Sequence, residues 1–184
     1  MPTGSCHPLA PHRKLHIPDW YVSTLMLERT LDAILRRVTL RRDWDIPYLA
    51  GYSQDGRTIY IDRHLPLTFT DKKRTVEVDR YLILHESVEK ALIDELDLHY
   101  LHAHQIATRA EEAAVRADRI SWRAYDAFMQ KYVKSVGDER LTHVPEDLDL
   151  KPYRDEHDRD LIARMEKAES DGRAPRIRSR RTKP

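Results

Sequence analysis

The segment 79–96, DRYLILHESVEKALIDEL, constrains this chain more than any other. Tyr81, Leu84, Val88, Ala91, Leu92 and Leu96 recur at three- and four-residue steps, the period of an amphipathic helix. Such a stripe has to be covered by other elements of the fold. His85, Glu86 and Glu89 are set into the same helix beside the stripe. His85 and Glu89 are four apart, so their side chains lie one turn apart on one face. Polar groups placed against an apolar surface need hydrogen-bond partners or a metal.

The elements that could cover this helix are legible on both sides of it. Val22, Met26, Leu31, Ile34, Leu35 and Val38 predict a first helix over 22–42. Tyr48 to Tyr52 and Thr58 to Asp62 predict a hairpin around Ser53-Gln54-Asp55-Gly56, where Asp-Gly suits the turn. Leu65 to Thr70 reads as a further extended piece, and Val76 and Val78 as a short strand or turn. Asp97-Leu98-His99 breaks the central helix. A third helix follows over 100–119, with Ala103, Ala107, Ala110, Ala114 and Ala117 as a small-residue stripe. A fourth runs over 121–136 on Trp122, Tyr125, Phe128, Met129 and Tyr132, and Gly137 is its expected stop. Residues 138–154 read as loop, with Pro145 and Pro152.

The resulting expectation is an α+β fold, mostly helical, with a small antiparallel hairpin or sheet packed on a helical hairpin. Residues 1–18, with four prolines, read as an irregular arm, and 19–154 as a single domain. Residues 155–184 read as a short polar helix followed by a basic disordered tail.

Charge and composition narrow the function classes. Lys plus Arg (32) balance Asp plus Glu (31), so the whole molecule makes no electrostatic case for nucleic acid. Only the basic tail, Arg176 to Lys183, could touch nucleic acid or another polyanion. Cys6 is the only cysteine, which rules out an internal disulfide and fits a reducing compartment. No stretch approaches the roughly 20 apolar residues of a membrane span. A soluble, cytoplasmic protein is the expectation. Oligomeric state is not encoded in any pattern of the sequence.

Helix geometry selects a third ligand for a metal at His85 and Glu89. In an antiparallel pair turning near residues 97–98, a rise of about 1.5 Å per residue puts Glu89 about 13 Å and His85 about 19 Å from the turn. On the next helix His104 lies about 10 Å and Glu111 about 20 Å up, by the same rise. His104 is the preferred third ligand, and Glu111 is an alternative ligand or a partner behind one. His102 points to the other flank.

The sequence Leu84-His85-Glu86-Ser87-Val88-Glu89 resembles the active-site helix of the zincin metallopeptidases, whose motif is His-Glu-x-x-His. The resemblance covers this helix alone. It implies zinc as the metal, His85 as a ligand and Glu86 as the general base that activates a water. It also implies hydrolysis of a peptide or protein substrate. The departure is Glu89, which stands where the motif has its second histidine; a carboxylate is an acceptable zinc ligand. The competing expectation is a non-catalytic helical interaction or assembly protein, phage-related or associated with nucleic acid through its tail. In it Glu86 would form an ordinary ion pair with Lys90, and any metal would be structural.

Overall fold

The computed structural model describes residues 24–137 and 141–173. The arm read over 1–18 and the tail beyond 173 lie outside the described residues. In order, the elements are α1 (Thr24–Leu35), β1 (Thr39–Trp44), β2 (Ala50–Tyr52), β3 (Thr58–Asp62), β4 (Thr68–Asp71) and β5 (Arg74–Glu77). They are followed by α2 (Asp79–Leu96), α3 (Tyr100–Ala117), α4 (Trp122–Gly137), α5 (Lys151–Asp155) and α6 (Arg159–Arg173). The fold is α+β and mostly helical, with small sheets packed on helices.

The first helix stops at Leu35, well short of the 22–42 expected, and Thr39–Trp44 becomes a strand parallel to β3. Val38-Thr39-Leu40 is rich in residues that fit a pleated surface, and β3 offers them a ladder. The sheet order is therefore β1-β3-β2, a parallel edge added to the antiparallel hairpin of β2 and β3. The hairpin turn is the one expected. Gly56 takes φ +67°, and a Cβ there would lie 3.3 Å from the Lys90 side chain, so both backbone and space favour glycine. β4 and β5 form a separate antiparallel pair.

β3 alternates cleanly between two cores. Ile59 and Ile61 join Tyr52, Tyr81 and Leu84 in the main core against α2. Tyr60 points into a second core with Ile46, Leu148, Tyr153, Leu161 and Met165. α6 contributes to that second core through Leu161, Met165 and Ala168 at three- and four-residue spacing, so this helix has a buried face despite its polarity. Phe69 and Val76 of the β4–β5 pair join the main core, and Phe69 lies edge-on to Tyr125 of α4.

Asp62 is buried, contrary to the surface pairing its neighbour Arg63 suggests. Its carboxylate accepts hydrogen bonds from the Ile46 and His64 amides. Asp45 does similar work for the segment after α4. One oxygen accepts from the Thr142 amide, the Thr142 hydroxyl and the His143 amide. Burial pushes the Asp45 pKa up, but these bonds and Arg63 outweigh it and hold the pKa below the usual carboxylate value. Asp45→Ala is expected to cost about 2–4 kcal/mol, since it orphans several donors to one charge. A depressed carboxylate pKa stabilises above the unfolded value, so this contribution should vanish as pH falls through the folded pKa. Urea unfolding of both proteins at pH 7 and pH 3 checks it, the difference narrowing at the lower pH.

α2 and α3 form the hairpin that carries the polar residues. Asp97 ends α2 in the left-handed conformation (φ 50°, ψ 36°). His99 then caps α3 by accepting a hydrogen bond from the Leu101 amide. Side-chain pairs between positions 89 and 104 and between 85 and 111 show that the helices run antiparallel.

Candidate metal centre

α2 buries the whole run Tyr81 to Glu86, together with Glu89 and Lys90. Its apolar residues have the core to meet, and its polar ones meet α3. His85 Nε2 lies 3.0 Å from His104 Nδ1 and 3.5 Å from Glu89 Oε2. His104 Nδ1 lies 3.0 Å from the same Glu89 oxygen. These three atoms form a nearly equilateral triangle. Ligand atoms at the 2.0–2.1 Å typical of zinc to nitrogen and oxygen stand about 3.3 Å apart in a tetrahedron. The triangle therefore has the size of one face of such a coordination shell. His85, Glu89 and His104 are a group that could hold a metal ion.

Groups one step out orient the three donors. His85 Nδ1 donates to Glu111 Oε2 at 2.8 Å, which leaves Nε2 as the atom facing the triangle. Glu111 in turn accepts from the Tyr125 hydroxyl at 2.5 Å. The Tyr52 hydroxyl donates to Glu89 Oε1 at 3.1 Å, leaving Oε2 for the triangle. α2, α3, α4 and β2 thus each supply a piece of the site. Glu111, one of the two candidates on α3, stands behind His85, while His104 stands beside both residues of α2. His102 is exposed and takes no part. Tyr125→Phe should weaken metal affinity about tenfold or more while leaving the core packed, because it frees Glu111 from its fixed position. A competition titration against a chromophoric chelator measures this directly.

Three carboxyl groups crowd this site. Glu86, Glu89 and Glu111 are all buried here, against two histidines. Burial alone would lower the His85 pKa, but its hydrogen bonds to Glu111 and Glu89 and the nearby negative charges raise it well above the usual value. Burial would likewise raise Glu89, yet hydrogen bonds from His104 and His85 hold it low. Glu86 has no such help. Burial, reinforced by the charges of Glu89 and Glu111, pushes its carboxyl up to about 8. No hydrogen bond contributes to that shift, and Lys90 turns away from Glu86 to bond Asp94 at 2.9 Å and Asp149 at 2.8 Å.

Glu86 and His104 border two clefts. One is walled by Tyr48, Tyr52, Tyr100 and Tyr153, with Asp149 beside them. The other lies against α4 and includes Leu49, Leu82, Trp122 and Met129. Tyr48 and Leu49 sit one in each cleft, and both adopt positive φ, 59° and 80°. Neither is glycine, so the pair stores on the order of 1–3 kcal/mol each, held by the surrounding structure. The His104 side chain is 44% exposed, whereas His85 and Glu89 are nearly fully covered. Solvent reaches the triangle from the α3 side.

Tyr52 and Tyr125, which hold Glu89 and Glu111, carry no local sequence pattern that marks them. Tyr125 sits on the apolar stripe of α4, and Tyr52 ends a strand. The available signal was chemical: a buried phenol hydroxyl must find an acceptor. Among the described residues no helix is long and apolar enough to cross a membrane. Comparison with protein-family models, with curated proteins and with solved structures found no match.

Proposed function

We propose that this protein is a zinc-dependent hydrolase that resembles the zincin metallopeptidases, with His85, Glu89 and His104 as ligands and Glu86 as general base. The observation that carries the reading is the triangle of donor atoms with edges of 3.0, 3.0 and 3.5 Å. Two imidazoles and one carboxylate, with no thiolate, are a donor set suited to zinc. Closed structural sites use four protein ligands, and three protein donors are the catalytic pattern. A bound zinc would supply a Lewis acid and lower the pKa of a water. Glu86 would take that proton. Its side chain borders both clefts and is unengaged by Lys90, which bonds Asp94 and Asp149.

A peptide or protein is the proposed substrate class. Ala50 and Gly51 of β2 open onto the tyrosine-walled cleft. Further along β2, the Asp149 amide donates to the Tyr52 carbonyl and the Gln54 amide to the Asp147 carbonyl, which covers that end of the strand. Because β2 is buried throughout, a peptide chain would enter through this cleft rather than along an open strand edge. The test is elemental analysis of untagged protein, followed by digestion of a mixed peptide library. About one zinc per chain and chelator-sensitive cleavage are expected. A zinc-free protein under zinc-replete conditions rejects the site, and zinc without cleavage rejects the peptidase.

A second reading is a helical interaction protein whose metal is structural. Exposed Leu96, Leu101 and Ile106 on α2 and α3 favour it. It predicts bound zinc without any dependence of function on Glu86.

A further inference from the structure

Net charge left only the tail as a place for a polyanion, but the fold gathers cations that the sequence keeps apart. The turn between β4 and β5, Asp71-Lys72-Lys73-Arg74, packs against the junction of α3 and α4, Asp118-Arg119-Ile120-Ser121. Two bonds fix the juxtaposition. The Ser121 amide donates to Asp71 Oδ2 at 3.1 Å, and Arg74 Nη1 donates to the Asp118 carbonyl at 3.1 Å. Lys72, Lys73 and Arg74 thereby adjoin Arg119 at the junction and Arg123 in the first turn of α4, and all five are exposed. The two carboxylates of the region face inward. Asp71 is buried on the Ser121 amide. Asp118 accepts from the Tyr81 hydroxyl at 2.6 Å and pairs with Arg80 at 3.4 Å. Among the described residues, Lys72, Lys73, Arg119 and Arg123 have no carboxylate partner.

We propose that this turn and junction form a binding surface for the phosphate backbone of nucleic acid, with Lys72, Lys73, Arg74, Arg119 and Arg123 as its cations. The surface does not depend on the metal centre. Three observations favour this partner. Five outward cations over two inward carboxylates give a local positive potential, although the whole chain is nearly neutral. Lys72 and Arg119 adopt left-handed backbone, with φ of 57° and 59°. Glycine or asparagine holds that conformation at less cost, yet both positions carry a long cationic side chain and project it from a turn. The exposed large apolar side chains, Leu40, Tyr48, Leu67, Leu96, Leu101 and Ile106, all lie outside the turn and the junction. The surface therefore has no exposed apolar anchor of the kind that lets a basic face hold a lipid bilayer. Lysine and arginine on phosphates carry no base-specific information, so the binding is independent of sequence.

The test is fluorescence anisotropy of a labelled, random-sequence DNA duplex titrated with full-length protein across a salt series. The reference protein carries Arg178, Arg180 and Arg181 changed to glutamine, which sets the tail's charge aside. It should bind with a slope of log affinity against log salt of about −4 to −5, as five phosphate contacts require. Lys72→Glu with Lys73→Glu, and separately Arg119→Glu with Arg123→Glu, should each weaken binding at least about tenfold and flatten the slope by about 2. Arg159→Glu with Lys167→Glu on α6 changes the net charge equally and should weaken binding by less than about twofold. Circular dichroism verifies folding, and either pair at the surface carries the test if the other does not fold. An equal loss from the α6 pair would reduce the effect to net charge and overturn the surface. Absence of binding in the reference protein would overturn it too, with binding by the native chain then assigned to the tail. Capture by vesicles of anionic phospholipid at salt where the duplex is not bound would replace nucleic acid with a membrane and overturn the proposal.

Discussion

His85→Ala protein should bind no zinc at stoichiometric concentration, and zinc should no longer raise its melting temperature. His85 is the donor at which both helices meet. Its Nε2 faces His104 and Glu89, and its Nδ1 is held by Glu111. Loss of a single outer partner typically costs 10–100-fold in metal affinity; loss of the ligand itself should exceed that. A ligand that binds only the folded state stabilises it by about 2.7 kcal/mol at a hundred times its dissociation constant. Native protein should show that gain in a thermal melt, and the variant none. The variant's metal-free form should also be weaker than native by about 3–5 kcal/mol, because two buried carboxylates lose their shared partner. An undiminished zinc-induced shift in His85→Ala would remove the centre from consideration.

The second large effect concerns Glu86. Glu86→Gln keeps the shape and removes the group that can take up a proton. The three donors are untouched, so zinc content should stay at about the native level. Turnover of any peptide the native protein cleaves should fall by about 10²–10⁴-fold, the usual contribution of general acid–base catalysis. Stability should hold, because burial and the charges of Glu89 and Glu111 already push the Glu86 carboxyl up to about 8, so at neutral pH the amide replaces a largely neutral group. Loss of activity with no loss of stability is the signature that separates a proton-transfer role from a packing role. Full activity in Glu86→Gln would instead remove Glu86 as the general base.

The helical hairpin was legible because its signal is local. Eighteen residues of α2 keep one period, and the left-handed Asp97 and the His99 cap sit where the pattern breaks. Counting rise from the turn brings His104 to the level of Glu89, and the structure brings these side chains within 3.0 Å. What the pattern hid was long-range or two-sided. β1 satisfies a helical spacing through Val38 until β3 supplies a parallel ladder. Asp62 looks like a surface charge until the Ile46 amide is found folded against it. Tyr52 is 37 residues from the carboxylate it bonds, and Tyr125 is 14 from its own. Periodicity places a side chain on a face, and says nothing of which distant acceptor its hydroxyl will meet.

The hairpin also bears on how the chain reaches its native state. His85 and His104 are 19 residues apart, and Glu89 and His104 only 15. Closing so short a loop costs less chain entropy than docking α6 against Ile46 and Tyr60. An ion captured by these side chains would tie α2 to α3 before α6 docks, and its binding energy would become folding energy. Pairing α2 with α3 and pairing the strands, which are as close in sequence, would together form the first step, and docking α6 a later one. Refolding with and without zinc should differ chiefly in the speed of that first step.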